Sequence, residues 1–372
     1  MSKIVIDARQ YTTSTGRYAF RLVQYLEKLD ANARDGNQHN YVILLKPEDM
    51  NAYKFSNPRF TKVATPHKEY TFAEQLGFAW QLYRLKADLV HFSMTQQPLL
   101  YRKKSVTTIH DLTTARFYNP DKKRTSFVIK QQVYKFLIKR VARHAKAILT
   151  PSEFVKNDVR QFANITADKI TVTYEAADTI TDSPTALPDL QNKQFIMYIG
   201  RPTPHKNLER LIEAYELLRA QHPALTLVLA GKKDANYHRI EASLQKRGLK
   251  PPRIIFTDFV TEGQLRWLYE NCAAYVFPSL SEGFGLPGLE AMQHGAPVVS
   301  SNATCLPEIY GDAAHYFDPL DTQAMADAIN EVLTNKTLRK TLIQNGHQQV
   351  KKYSWQRMAE QTLEVYNQSL GN

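Results

Sequence analysis

"SEGFGLPGLE", Ser281–Glu290, follows the strand-like "AAYVFPSL" and leads into the helix-like "LEAMQHG". Its three glycines, Gly283, Gly285 and Gly288, spell G-x-G-x-x-G, which invites a dinucleotide reading. That reading fits poorly. The fingerprint belongs to the first strand–helix unit of its domain and needs an acid about 20 residues on. Here the motif comes late, and the next strand, "PVVSSNA", ends without an acid. Pro287 suits the first helical position, so the amides of Phe284, Gly285 and Leu286 point out of a helix start, where negative charge is welcome. Two carboxylates, Glu282 and Glu290, bracket those amides. They would repel a phosphate, so the role that suits them is accepting hydrogen bonds from hydroxyls. Loop and acids together fit a ligand with a diphosphate in the middle and polyols at both ends. Two surface glutamates without a role are the plain alternative.

Outward from this loop, short apolar runs alternate with helix-like segments. In the first half these runs are "KIVIDA", "YVILLK", "DLVHFS", "SVTTIHD" and "AKAILTPS"; in the second, "FIMYIGR", "LTLVLAG", "RIIFTDF", "AAYVFPS" and "PVVSS". Such alternation marks parallel sheets covered by helices on both faces. The Pro-, Asp- and Thr-rich "DTITDSPTALPDLQNK" (178–193) has no period and reads as a linker. A chain of 372 residues exceeds one ordinary core. The expected architecture is α/β, with two doubly wound domains facing across a cleft.

Ligands of open parallel sheets sit outside the carboxyl ends of the strands. Four unusual clusters fall there: "TTSTGRY" (Thr12–Tyr18), "HDLTTARF" from His110, "GRPTPHKN" from Gly200, and the opening loop. Arg201 and Lys206, a planar fork and a point charge at a helix entrance, suit a diphosphate. Exposed loop cations are common in a chain with 48 Lys and Arg, so alone the pair says little.

The net charge of +12 is concentrated. Between Asp121 and Lys146 lie nine basic residues and one acid, on a segment whose Phe127, Tyr134, Ile138, Val141 and Ala145 recur at helical spacing. A basic amphipathic helix suits an anionic membrane surface or a polyanion; a solvated outer face of a core helix explains it equally well. The longest apolar runs are far below the ~18 residues of a spanning helix. "MSKIVIDARQ" lacks an apolar leader core, so a cytoplasmic location is expected. Cys272 and Cys305 fit no metal spacing and read as buried free thiols.

The chain resembles the retaining glycosyltransferases of family four, which have the GT-B fold. The resemblance is carried by "FVTEGQLRWLYENCAAYVFPSLSEGFGLPGLEAMQHGAPVVSSNATCLPEIYGDAAHYFDPLD", by "YIGRPTPHKNLERLIEAY", "TIHDLTTARFYNP" and "ILTPSEFVKNDV", and by the closing "YSWQRMAEQTLEVYNQSL". It implies an acceptor-binding domain over 1–180, a linker over 181–193, a nucleotide-sugar domain over 194–352, and a terminal helix, 353–372, crossing back to the first domain. It implies that Arg201 and Lys206 hold the donor diphosphate, and that Glu282 lies beside the transferred sugar. The amides of Gly283, Phe284, Gly285 and Leu286 would face sugar hydroxyls and phosphate, and Glu290 the ribose. His110 would sit over the sugar near the reacting carbon, although a lone His at a strand end is often only structural. Gly16 would close on phosphate, with Ser14, Thr15 and Arg17 toward the acceptor. The family's first loop usually has adjacent glycines, whereas "TSTGRY" has only Gly16; a mannose-transferring subgroup is similar in this form.

The implied activity is retaining, metal-independent transfer of a hexose, foremost mannose from GDP-mannose, to a glycan or lipid-linked acceptor at the inner face of the membrane. No D-x-D occurs, so no metal and no cofactor beyond the nucleotide-sugar substrate is expected. Two competitors remain. One is a sugar-nucleotide epimerase or phosphorylase of the same fold. The other is a non-catalytic polyanion-binding protein, against which stands the lack of any nucleic-acid motif.

Overall fold

The computed structural model describes residues 1–13, 16–32, 38–69, 71–117, 124–246 and 253–371, with the side chains of 124–130 and 246 outside that description. Its contacts divide the chain into two units. Met1–Ala115, Ile129–Glu175 and Ser354–Asn372 form one; Arg116–Val128 and Ala176–Tyr353 form the other.

The first unit holds a parallel sheet of β1 (Lys3–Asp7), β2 (Asn40–Leu45), β3 (Phe60–Ala64), β4 (Leu89–Phe92), β5 (Ser105–Thr108), β6 (Ala147–Thr150) and β7 (Ile170–Val172). Their order is β3-β2-β1-β4-β5-β6-β7. Ile4, Val5 and Ile6 of β1 are all fully buried, as a strand covered on both faces requires. Helices α1 (Arg17–Ala31), α2 (Ala79–Leu85, preceded by a π-helical turn at Glu74–Phe78), the short α3 (Thr113–Arg116), α4 (Arg124–His144) and α5 (Glu153–Ala163) follow in chain order.

The second unit repeats the plan. Its strands are β8 (Phe195–Ile199), β9 (Thr226–Ala230), β10 (Ile254–Asp258), β11 (Ala274–Phe277), β12 (Val298–Ser301) and β13 (Ala314–Phe317), in the order β10-β9-β8-β11-β12-β13. Its helices are α6 (Leu208–Leu218), α7 (Ala235–Lys246), α8 (Glu262–Asn271), α9 (Leu286–Gln293), α10 (Leu306–Tyr310), α11 (Thr322–Thr334) and α12 (Lys336–Gln349). Local signals fix several starts: Thr261 and Gln264 close a capping box on α8, and the side chains of Asp321 and Asn335 cap α11 and α12.

The last helix, α13 (Trp355–Leu370), belongs to the first unit and packs on α1. A buried polar relay pins it. His91 on β4 meets the Tyr366 hydroxyl through Nδ1 at 2.5 Å and Thr108 Oγ1 through Nε2 at 2.8 Å, and Thr108 also meets Tyr18 of α1. Burial, then the nearby charge of His110, pushes the His91 imidazole down to about 3, so it is neutral at ordinary pH.

Both strand orders reverse between the first strand of the unit and the strand beside it, at β1/β4 and at β8/β11. Such switch points open a crevice at the strand ends. Asp7 and Phe92 end the first pair, Ile199 and Phe277 the second. Gly200 and Arg201 follow the first strand of the second pair and Glu282 the other, while His110 follows β5.

Candidate functional site

In the second unit, β8 runs into Gly200 and Arg201, and β11 into Pro278–Glu282. Gly200 adopts φ +143°, and the neighbouring Gly231 approaches so closely that a Cβ on it would lie 2.6 Å from the Gly200 carbonyl oxygen. Only glycine allows both strand exits to run together. Asn207, in the left-handed region at φ +61°, donates from Nδ2 to the carbonyls of Pro278 (3.1 Å) and Pro319 (2.8 Å), and the Leu280 amide donates to the His205 carbonyl at 2.7 Å. The two loops are thereby stitched into one surface.

On that surface Lys206 Nζ donates to Glu282 Oε1 at 2.5 Å, both side chains being largely buried. The ammonium also lies over the Phe277 ring, 5.6 Å from its centroid. The Glu282 backbone is held by Thr304 Oγ1, which accepts from its amide at 3.1 Å, and by the Cys305 thiol, which donates to its carbonyl at 3.4 Å. Burial, and then the charge of Glu282, holds that thiol and the Tyr310 hydroxyl well above their ordinary pKa values, so both stay protonated as donors.

The glycines of the opening loop have separate reasons. Gly285 takes φ +92° at the cap of α9, with Pro287 in the first turn. Tyr310 donates to the Gly285 carbonyl at 2.6 Å, and a Cβ on Gly288 would meet the same hydroxyl oxygen at 2.3 Å. The helix start is therefore pinned from behind by Tyr310. Phe284 is buried edge-on against Tyr353. Glu290 is buried one turn into α9, where Tyr269 donates to it at 3.5 Å.

Arg201 stands apart. Its guanidinium is 75 % exposed and reaches Asp234 at 3.7 Å, not the Lys206–Glu282 pair.

In the first unit, Gly16 precedes α1 at a point where a Cβ would lie 1.6 Å from the Gln10 carbonyl oxygen, so no side chain fits. Arg17 is the first residue of α1 and half-buried; Ser14 and Thr15 lie outside the described residues. His110, just past β5, is fully engaged. Nδ1 meets Glu175 Oε1 at 3.0 Å and Nε2 meets the Ser93 carbonyl at 3.0 Å. Both partners are acceptors, an arrangement that favours donation by both ring nitrogens and with it the imidazolium form. Burial disfavours that charge, but the hydrogen bond and charge of Glu175 outweigh it and raise the imidazole pKa. A ring so engaged has no lone pair for proton abstraction; it can offer fixed positive charge and a fixed edge.

Two profiles match this chain. Residues 181–349 match glycosyl transferases group 1, and residues 15–180 match glycosyltransferase family 4. The O-antigen chain mannosyltransferase B of Escherichia coli is 35 % identical over 302 residues, covering 77 % of this chain and 76 % of that one. The chain belongs to glycosyltransferase family 4. The fold of this glycosyltransferase is GT-B. Sucrose-phosphate synthase from Thermosynechococcus elongatus superposes with a TM-score of 0.76 at 19 % identity, covering 99 % of each chain. HepE of Anabaena, in complex with UDP and glucose, does so at 0.72 and 18 %, covering 99 % of this chain and 100 % of that one.

Sequence reasoning missed several residues that support these positions in each unit. Glu175 sits in the unpatterned stretch after β7 and carries no motif that links it to His110, 65 residues earlier. Thr304 and Tyr310 act only by supporting backbone, which no pattern of residue types announces. Asn207 was legible as a residue type that tolerates the left-handed region.

Glu175→Gln keeps the size and an acceptor oxygen but removes the charge. The His110 pKa is raised in the fold, so its contribution is present below pH about 6.5 and is lost as pH rises through the raised value. In the glutamine variant that loss is expected at lower pH, in the NMR titration of His110 and in the alkaline limb of kcat/KM together. An unchanged His110 midpoint would contradict the pairing.

Proposed function

We propose that this protein transfers mannose from GDP-mannose to a glycan or lipid-linked acceptor, with retention of anomeric configuration and without a metal. The observation that carries the reading is the Lys206–Glu282 pair beside the start of α9, at the switch point of the second sheet.

The pair explains how a carboxylate and a phosphate site share one loop. Lys206 neutralises Glu282, so the local field does not repel a diphosphate. An ammonium has three donors; one serves Glu282, and the others are available to phosphate oxygens. Glu282 keeps lone pairs for sugar hydroxyls. The amides of Gly283, Phe284, Gly285 and Leu286 and the positive end of α9 add donors aimed at the same place. Arg201 swings from Asp234 to the diphosphate, and Glu290 accepts from the ribose. Residues 1–180 select the acceptor, with Gly16, Ser14, Thr15 and Arg17 near it, and the imidazolium of His110 lies over the transferred sugar. In the transfer the acceptor hydroxyl oxygen bonds to the anomeric carbon on the face from which the diphosphate oxygen departs. The hydroxyl proton passes to that departing oxygen. Lys206 and Arg201 stabilise the charge left on the leaving group.

Similarity to a mannosyltransferase of O-antigen chains supports the choice of mannose and of a glycan acceptor. The metal-independent reading rests on the sequence, which has no D-x-D. The protein would work in the cytoplasm at the inner membrane face, with residues 121–146 one candidate for contact; Asp121, Lys122 and Lys123 lie outside the described residues.

The test is a thermal-shift panel of GDP, UDP and ADP and their sugars, followed by transfer to a mannose oligosaccharide in EDTA with NMR of the first-formed linkage. GDP-mannose is expected to raise Tm most and to give an α-linkage, with EDTA without effect. A response to UDP-sugars alone would overturn the donor, a β-linkage the stereochemistry, and loss of transfer in EDTA the metal independence.

A further inference from the structure

Helix α2 and the turns before it are apolar on two sides. Phe78 and Leu82 are fully buried against Val5, Val90 and Phe92, while Glu74 is buried on Arg9. On the opposite side Phe72 (90 % exposed), Leu76 (65 %), Trp80 (62 %) and Tyr83 form an exposed stripe at helical spacing. Leu100 extends it, since the Tyr83 hydroxyl donates to the Leu100 carbonyl at 3.0 Å. Scattered exposed apolar residues need no explanation, but a contiguous patch does.

The rim of the stripe is basic. Arg84 lies over the Trp80 ring at 4.7 Å and Lys103 over the Tyr83 ring at 5.8 Å; Lys86 and Arg102 are exposed beside them. Between Thr71 and Lys86 the one acid is the buried Glu74, and between Leu99 and Ser105 there is none.

A second patch lies on the same side of the sheet. Phe92, Thr107, Ile148 and Ile170 are paired across β4, β5, β6 and β7, so their side chains share one face. Phe92 packs with α2, and Ile148 and Ile170 with α4, so both helices cover that face. On its outer side α4 exposes Val133 and Phe136 beside Lys139 and Arg143.

We propose that this face docks on an anionic lipid bilayer, the stripe Phe72–Leu76–Trp80–Tyr83 entering the headgroup boundary and the cationic rim facing acidic lipid. Apolar and aromatic side chains on one helix face with Lys and Arg around them are what such an interface binds, and the excess of cations on this rim, where Asp88 beside Lys103 is a nearby exposed acid, opposes contact with a second copy of this basic chain. The inference deepens the peripheral-membrane reading above and moves its centre from residues 121–146 to α2; vesicle binding needs no donor, so the two can fail separately.

Of the three tryptophans, Trp355 is buried and Trp267 is stacked on Phe195, which leaves Trp80 as the exposed reporter. With vesicles of phosphatidylglycerol and brominated phosphatidylcholine, its fluorescence is expected to be quenched, and Trp80→Phe to abolish that quenching. The double variant F72S/W80S is expected to lower the vesicle-bound fraction on sedimentation about tenfold, with Tm and its response to GDP-mannose unchanged. The charge reversal K139E/R143E is expected to weaken binding less. Parent-like sedimentation of F72S/W80S would overturn the proposal. So would loss of binding in K139E/R143E alone, equal binding to neutral vesicles, or a dimer that F72S/W80S dissociates.

Discussion

Lys206→Ala is expected to lower kcat/KM for sugar transfer by about a thousandfold while the protein stays folded. Removing one preorganised donor at a developing oxyanion costs about 10²–10³ in rate, and Lys206 is also the partner that neutralises Glu282. Alanine therefore removes a donor and leaves a bare carboxylate facing a diphosphate. The change leaves a largely buried carboxylate without its cation, which costs roughly 1–3 kcal/mol of stability. In a unit of this size that lowers Tm by only about 2–4 °C per kcal/mol. Glu282→Ala is expected to lose activity to a similar degree through the sugar contacts, and the double variant to be little worse than either single one, because the two residues act as a unit. Parent-like kcat/KM in either single variant, with the fold intact, would remove that residue from the reaction.

The largest effect on stability is expected at Arg9, which sequence reading passed over. Arg9 sits just past β1 and is 3 % exposed. It donates to Asp7 from Nε at 2.9 Å and from a terminal nitrogen at 2.8 Å, to Glu74 at 2.9 Å and to the His67 carbonyl at 3.1 Å, with its guanidinium over the Phe78 ring. Gln96 closes the network by donating to the other Glu74 oxygen at 2.5 Å. Arg9→Met fits the space but strands two buried carboxylates, and breaking a buried pair costs about 3–5 kcal/mol. The melting of the first unit is expected to fall by roughly 10 °C, and exchange of amides in β1 and α2 to accelerate, while nucleotide binding by the second unit persists. Adding Glu74→Gln to Arg9→Met is expected to recover part of the loss, because one stranded charge is gone. A single variant within about 0.5 kcal/mol of the parent, the ordinary range of a neutral surface change, would show that the network does not hold the first unit together.

The central strands were legible because strands covered on both faces must be continuous apolar runs, and "KIVIDA", "FIMYIG" and "AAYVFP" are that. The three strands left unnamed by sequence reading, β3, β7 and β13, all lie at sheet edges. Edge strands pair on one side only and carry mixed burial, as in "FTKVA", so their pattern is weak. The stretch "FAEQLGFAWQLYRLK" is helical, with a π-helical turn at Glu74–Phe78 that spacing does not reveal. In the site, residue types with a chemical reason to cluster could be named ahead: Lys206 and Glu282 do meet. Arg201 was legible as a cation on the loop but not in its orientation, because a 75 % exposed side chain takes its direction from a partner, Asp234, on a different loop. Glu175 was hidden for the opposite reason: His110 and Glu175 are brought together only by the pairing of β5, β6 and β7.

The central claim is that a nucleotide-sugar is gripped by its diphosphate between Lys206 and the amides that open α9. Isothermal titration of GDP-mannose into the parent protein and into Lys206→Ala, at equal ionic strength and with both proteins folded, addresses it directly. The account predicts saturable heat with the parent and at least about a tenfold weaker association with the variant, the loss of one charge-assisted contact. Equal affinity for both proteins, or no heat with the parent, would contradict it.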